Sequence, residues 1–176
     1  MAEQVQLHEV LSDLSGELHP RFVILHHSLT KDGRSVSWDA IRKYHVETNG
    51  WADIGYHFGI ENVDGKHVIM KGRPIRARGA HCADGGMNKQ SIGVCMVGNF
   101  DTEAPPISQW ALAQLLISRL LWLYKIPICN VLGHREAQEK AGLPPEKRKS
   151  CPGLMVDMNK FREGLISTHA AVSVKA

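Results

Sequence analysis

No apolar run in this 176-residue sequence is long enough to cross a membrane, which takes about 20 consecutive apolar residues. The N-terminus, MAEQVQLHEVLSDLSGELHP, carries acids and no apolar signal core, so it does not read as a Sec signal. The expectation is a protein made and kept in the cytoplasm unless another route releases it. A dense lysine/arginine tract is also missing; the nearest is Glu146-Lys147-Arg148-Lys149, which argues against a nucleic-acid partner. The four cysteines, Cys82, Cys95, Cys129 and Cys151, form no CxxC pair, which argues against a zinc finger. A reducing compartment keeps all four as thiols. Internal repeats and linkers are absent, which points to a single domain.

What is present suits a globular chain: 43% hydrophobic and 22% charged residues, with enough length for one buried core. The net charge of +3 is mildly basic. It either favours a polyanionic target or is ordinary surface charge.

Along the chain, residues 1–20 show weak helical periodicity at Val5, Val10, Leu11 and Leu14 and read as an arm or short helix. The unbroken run FVILHH, Phe22 to His27, fits a buried strand. Residues 30–37 read as a loop. Ser37 suits the N-cap of a helix from Trp38 to about Thr48, with Trp38, Ile41 and His45 on one stripe and Asn49-Gly50 as the stop. Tyr56, Phe58 and Ile60 alternate with His57 and Gly59 as in a strand, and Asp64-Gly65 turns it back through His67 to Met70. Residues 71–89 show no period and read as a long loop. Ser91 to Val97 is a further buried strand.

After Pro105-Pro106, Ser108 is placed to cap a helix from Gln109 to Lys125. Its apolar positions are Ala111, Leu112, Leu115, Leu116, Leu120 and Leu123, with Ile107 stapled onto Leu112. Trp122 and Tyr124 on it read as core and support. Ile128 to Leu132 is expected to be a strand delivering His134 to its end. Asp157 is placed to cap a short helix through Phe161, followed by a frayed tail. Cys95 and Cys129 lie in apolar runs and read as buried hydrophobes. Strands alternating with helices, plus one hairpin, give an α/β fold: a single domain with a central mixed β-sheet flanked by helices.

The stretch GHREAQEKAGLPPEKRKSCPG, Gly133 to Gly153, concentrates the chemistry. Zinc binds imidazole and thiolate well, and a catalytic site uses three protein ligands and leaves room for water. The chain offers His134, Cys151 and one of the pair His26-His27. Strand alternation lets only one of that pair face a given site and does not choose between them. A cation at Lys149, two residues before Cys151, is placed to stabilise an oxyanion. Tyr56 is placed to position water or relay a proton. The alternative makes each histidine a satisfied polar group near a strand end and Cys151 an incidental thiol.

Five segments in order, LHHSLT, GWADIGYHFGI, GAHCADGGMNKQSIGVCMVGNF, GHRE and KSCPG, resemble the zinc-dependent N-acetylmuramoyl-L-alanine amidases. The likeness extends to short bacteriophage lysozyme-type amidases and to peptidoglycan recognition proteins, and runs from about Arg21 to Phe161. It implies an arm over 1–20, a catalytic domain over 21–165 and a tail over 166–176. It also implies one catalytic zinc ion, held by His26, His134 and Cys151, with Tyr56 and Lys149 as catalytic residues. His81, Asn88 and Ser91 fall in the segment that lines the substrate groove of the family.

The implied reaction is hydrolysis of the amide between the muramic acid lactyl group and L-alanine of peptidoglycan, by a monomer released from the cytoplasm as a phage or prophage endolysin. RNA polymerase binding, known for some phage relatives, carries over by analogy only. Two other readings are a cytoplasmic muropeptide-recycling amidase and a non-hydrolytic peptidoglycan-binding protein. Cys151 weighs against both, since recycling relatives use an aspartate as third ligand and the binders have lost the cysteine. The segment between His134 and Cys151 is longer than in the shortest phage enzymes, and the expectation is a chain without a wall-binding module.

Overall fold

Phe22–His27 forms strand β1, buried at every position, as an uninterrupted apolar run in the middle of a sheet requires. The computed structural model describes residues 3–7, 9, 18–30 and 37–173. Strands β2 (Phe58–Val63), β3 (Lys66–Lys71), β4 (Ser91–Met96) and β5 (Val131–Gly133) complete a five-stranded sheet of order β3-β2-β4-β1-β5. The β2–β3 hairpin is antiparallel and the other neighbours are parallel, so the sheet is mixed, as expected. The helices are α1 (Trp38–Lys43), α2 (Ile107–Tyr124), α3 (His134–Lys140) and α4 (Met158–Ser173).

The two faces of the sheet have different tasks. Val23 and Leu25 of β1, Ile92, Val94 and Met96 of β4, and Phe58 and Ile60 of β2 join one apolar cluster with Leu116, Ile117 and Leu120 of α2 and Phe161 of α4. Each such side chain contributes about 1.5–3 kcal/mol on full burial. The opposite face takes the alternate residues. Phe22 and Ile24 meet Cys82, Met87 and Ala137, while Cys95 meets Trp38 of α1. Gly59 admits the Trp38 ring, because a Cβ there would lie 2.3 Å from it. His26 follows Ile24 on this face, and His27 follows Leu25 on the other.

Several boundaries differ from the sequence reading. The Ser37 cap stands, with its hydroxyl accepting from Ala40 N at 3.2 Å, but α1 passes into a π-helical turn over Tyr44–Thr48. Helix α2 starts at Ile107 with Pro106 at the cap position. Ser108 pairs with His67 instead (2.8 Å), and Ile107 is 88% exposed, so no staple forms. The inner stripe is Gln109, Ala113, Leu116, Ile117, Leu120 and Leu121, whereas Ala111 and Leu115 are exposed. The cause is a polar residue: the Gln109 amide donates to Ile60 O and Val97 O (2.9 Å each), which turns that side of the helix to the sheet.

Ile128–Asn130 is a 3-10 turn, so β5 is short, and Cys129 is exposed rather than buried. The segment between His134 and Cys151 contains α3, which the prolines and glycines around it concealed. Asp157 does cap α4, accepting from Asn159 N and Lys160 N, but the helix runs to Ser173, well past Phe161. The long loop after β3 holds a 3-10 segment, Asp84–Lys89, in which Gly85 and Gly86 adopt left-handed φ values of 59° and 70°.

Near the N-terminus, Val5 N donates to Ile69 O and Lys71 N to Glu3 O, so this stretch covers the outer edge of β3. Val10, Leu11, Leu14 and residues 31–36 lie outside the described residues. No helix among the described residues is long and apolar enough to cross a membrane.

Candidate active site

Parallel neighbours β1 and β5 end on the same side of the sheet, which sets His26 at the end of one beside His134, the first residue after the other. Their ring centroids are 4.8 Å apart. Cys151 arrives from a distant loop that one side chain clasps. Arg135 Nη1 donates to Ser150 O (2.8 Å) and Gly153 O (2.7 Å), and Nη2 donates to Val156 O (2.6 Å). The Arg135 backbone N–H adds a bond to Cys151 O at 2.8 Å. Asp101 holds the same loop by accepting from Ser150 Oγ (2.8 Å) and Leu154 N (3.0 Å).

The donor atoms of His26, His134 and Cys151 all lie within 4.8 Å of one another, and all three residues are buried. Cys151 Sγ is 3.5 Å from His26 Nδ1. Zinc–sulfur and zinc–nitrogen bond lengths make the edge of a tetrahedral site roughly 3.5 Å, so the spacing fits a zinc ion. The donor types fit as well, two imidazoles and one thiol. Burial, then the neighbouring His134 and His81, pushes His26 well below its ordinary value. Burial, then Lys149, takes His134 down to about 4. Both rings are therefore neutral near pH 7 and keep a lone pair for a metal. Burial pushes the Cys151 thiol up to about 12.

Above these atoms lies a cleft of roughly 410 Å³, lined among others by His45, Trp51, Tyr56, His81 and Lys149. The Tyr56 ring centroid is 5.2 Å from that of His26. Burial, then Cys95, raises the Tyr56 hydroxyl well above its ordinary value, so it stays a neutral donor. Of the residues singled out in the sequence, six thus meet here: His26, Tyr56, His81, His134, Lys149 and Cys151. Asn88 and Ser91 do not line the cleft. Asn88 Oδ1 accepts from the backbone N–H of both His81 and Cys82 (2.8 Å each), and the fully buried Ser91 donates to Met87 O (2.7 Å). Their polar atoms are taken up in holding the loop that carries His81.

The family model for N-acetylmuramoyl-L-alanine amidase matches residues 16–154. This chain belongs to the N-acetylmuramoyl-L-alanine amidase family. It is 37% identical over 125 residues to an endolysin of Escherichia phage T7, covering 68% of this chain and 77% of that one. It is 32% identical over 169 residues to peptidoglycan-recognition protein LB of Drosophila melanogaster, covering 86% of this chain and 66% of that one. Among solved structures, the endolysin amidase LysCS of Clostridium intestinale superposes with a TM-score of 0.67 at 26% identity, covering 85% of each chain. A Drosophila PGRP-LB variant in complex with tracheal cytotoxin gives a TM-score of 0.63 at 26% identity, over 89% of this chain and 82% of that one.

Within this amidase-family site, sequence reasoning missed four contributors. The arginine of GHRE clasps the cysteine loop. Its glutamate, Glu136, accepts from Gly133 N (2.9 Å) and pairs with Arg162 through two bonds of 2.9 and 3.0 Å, tying α3 to α4. The His45 and Trp51 rings meet on the cleft wall, tilted by 32° with centroids 4.6 Å apart. The place of His45 on the Trp38–Ile41 stripe was the available signal for it. Glu136, three residues after Gly133, carried the local signal of a helix N-terminus. Arg135 gave none, because its side-chain partners lie 15 to 21 residues away.

Proposed function

We propose that this amidase-family chain hydrolyses the amide between the N-acetylmuramic acid lactyl group and L-alanine of peptidoglycan. One zinc ion would be held by His26, His134 and Cys151. The convergence of two imidazoles and one thiol from three separate segments, at the floor of a cleft bordered by Tyr56 and Lys149, carries this reading. When bound, zinc supplies a Lewis acid and lowers the pKa of water towards neutrality. The Lys149 ammonium stabilises negative charge developing on the carbonyl oxygen. The Tyr56 hydroxyl orients the attacking water and passes on a proton. His81 borders the groove beside them. The setting is that of an endolysin, held in the cytoplasm until it is released to the wall, with residues 21–165 as the catalytic domain.

The test is incubation of the purified protein with peptidoglycan sacculi and measurement of new L-alanine amino termini. Release is expected with zinc, is lost on chelation and returns when zinc is restored. No release with zinc present, beside an active control amidase, overturns the reading.

A further inference from the structure

We propose that Gln138 is a positioning residue that sets the reach of Lys149, and that Asp84 fixes Gln138 in turn. The inference rests on the role given above to Lys149. Gln138 lies on α3, is 3% exposed, and uses both ends of its amide. Its Oε1 accepts from the backbone N–H of Lys149 at 2.8 Å. Its Nε2 donates to Asp84 Oδ2 at 2.9 Å.

A backbone N–H only donates and an ionised carboxylate only accepts, so a single orientation of the amide satisfies both partners. The bond falls on the backbone of Lys149 itself, so it fixes the point from which the ammonium extends. Neighbouring contacts hold the approach to that point. Arg148 Nε donates to Leu143 O (2.7 Å), Arg148 pairs with Glu139 (3.1 Å), and Leu143 N donates to Gln138 O (3.0 Å). On the far side, Ser150 is held by Asp101 and Arg135.

The cause lies in the sequence. A long segment separates His134 from Cys151, and a free loop of that length would leave Lys149 without a defined position. Helix α3 takes up the first part of the segment, and Gln138 is the side chain on it that reaches the lysine backbone. Its link to Asp84 also ties Lys149 to the 3-10 segment following Cys82. Chemistry in a cleft is sensitive to such placement, since a misplacement of about 1 Å can cost about 100-fold in rate.

The experiment measures kcat and KM on a soluble muramoyl-peptide at saturating zinc, because the Asp84 carboxylate also lies within 4.8 Å of the His134 donor atom. Gln138→Glu sets two carboxylates against each other, and Gln138→Met removes both bonds without adding charge. Each is expected to lower kcat by about 10-fold or more, with KM within about 2-fold. Adding Asp84→Asn to Gln138→Glu reverses the bond: the new amide at position 84 donates to the new carboxylate at 138, whose other oxygen still accepts from Lys149 N–H. This double variant is expected to recover kcat to within about 3-fold of the parent, which a loss of general packing would not allow.

Parental kcat in Gln138→Met, or a double variant no better than Gln138→Glu alone, overturns the inference. Lys149→Met separates the two readings. If it keeps full kcat, the role of Lys149 falls and the inference falls with it. If it abolishes turnover while Gln138→Met does not change it, the inference falls alone.

Discussion

His26 Nε2 lies 3.0 Å from His81 Nδ1, in a buried contact between two neutral imidazoles. His26 Nδ1 faces Cys151, so the contact engages the nitrogen on the other side of the ring. A histidine whose outer nitrogen is hydrogen-bonded is fixed in both tautomer and orientation, which is how partners beyond the ligands tune a metal site. The main chain that carries His81 is held in place, since its N–H donates to Asn88 Oδ1. The family resemblance placed His81 and Asn88 together in the groove segment; in the structure Asn88 holds the His81 backbone, and the His81 ring meets His26.

His81→Ala is therefore expected to weaken zinc binding by about 10- to 100-fold while the fold is retained. Competition against a chromophoric chelator measures this without reference to turnover. Parental affinity in the variant would reduce His81 to a wall of the groove.

The same ring is seated by missing side chains. A Cβ added at Gly93 would lie 2.5 Å from His81 Cδ2, and one at Gly79 would meet the same atom at 2.5 Å. Both approaches are closer than any real contact, and the imidazole is enclosed. Gly93→Ala is expected to destabilise the protein by about 1–3 kcal/mol and to weaken zinc binding as His81→Ala does. Urea unfolding together with chelator competition checks both, and a variant that loses stability but binds zinc normally would uncouple the slot from the site.

His57 is held as one tautomer. Gly93 N donates to its Nδ1 (2.9 Å), so Nε2 carries the proton and donates to Ala77 O (2.9 Å). Burial brings its pKa from 6.5 down to about 4. The folded state therefore binds fewer protons than the unfolded state between these values. The resulting stability is fully present above pH 6.5 and is lost as pH falls through 4, amounting to about 3 kcal/mol. In His57→Gln, the fall in unfolding free energy between pH 7 and pH 4 is expected to be smaller by about that amount. Identical pH slopes in variant and parent would exclude His57 as the source.

The sheet was legible because it depends on local signals, and the His26, His134 and Cys151 cluster because family motifs mark its members. FVILHH, the Asp64-Gly65 turn and SIGVCMV are unbroken apolar or turn patterns, and the residues marked by the family motifs do converge. Which of His26 and His27 faces the site was not legible from alternation. It depends on which face α2 and α4 cover, and His27 goes to that side, where its Nδ1 accepts from Phe100 N. The stripe of α2 was misjudged because a glutamine, not a leucine, turns its N-terminal end inward. Helix α3 was hidden because its cap is a glycine without a side chain, completed by Glu136 reaching back. Apart from α3, the parts that escaped are those in which a polar side chain bonds to a segment far away in sequence, as Gln109 and Arg135 do.

Arg135 is the clearest such case, since one guanidinium holds three carbonyls of the loop that presents Cys151. Lysine carries the same charge but lacks the planar fork, so it cannot meet three acceptors in one plane. Arg135→Lys leaves carbonyls unsatisfied and is expected to lower the stability of the zinc-free protein by about 2 kcal/mol. Because the loop is then free to move Cys151 away from His26 and His134, zinc affinity is expected to fall as well, although every ligand remains. Chemical denaturation and chelator competition measure the two effects separately. A variant that binds zinc as tightly as the parent would show that the loop holds Cys151 in place without its clasp.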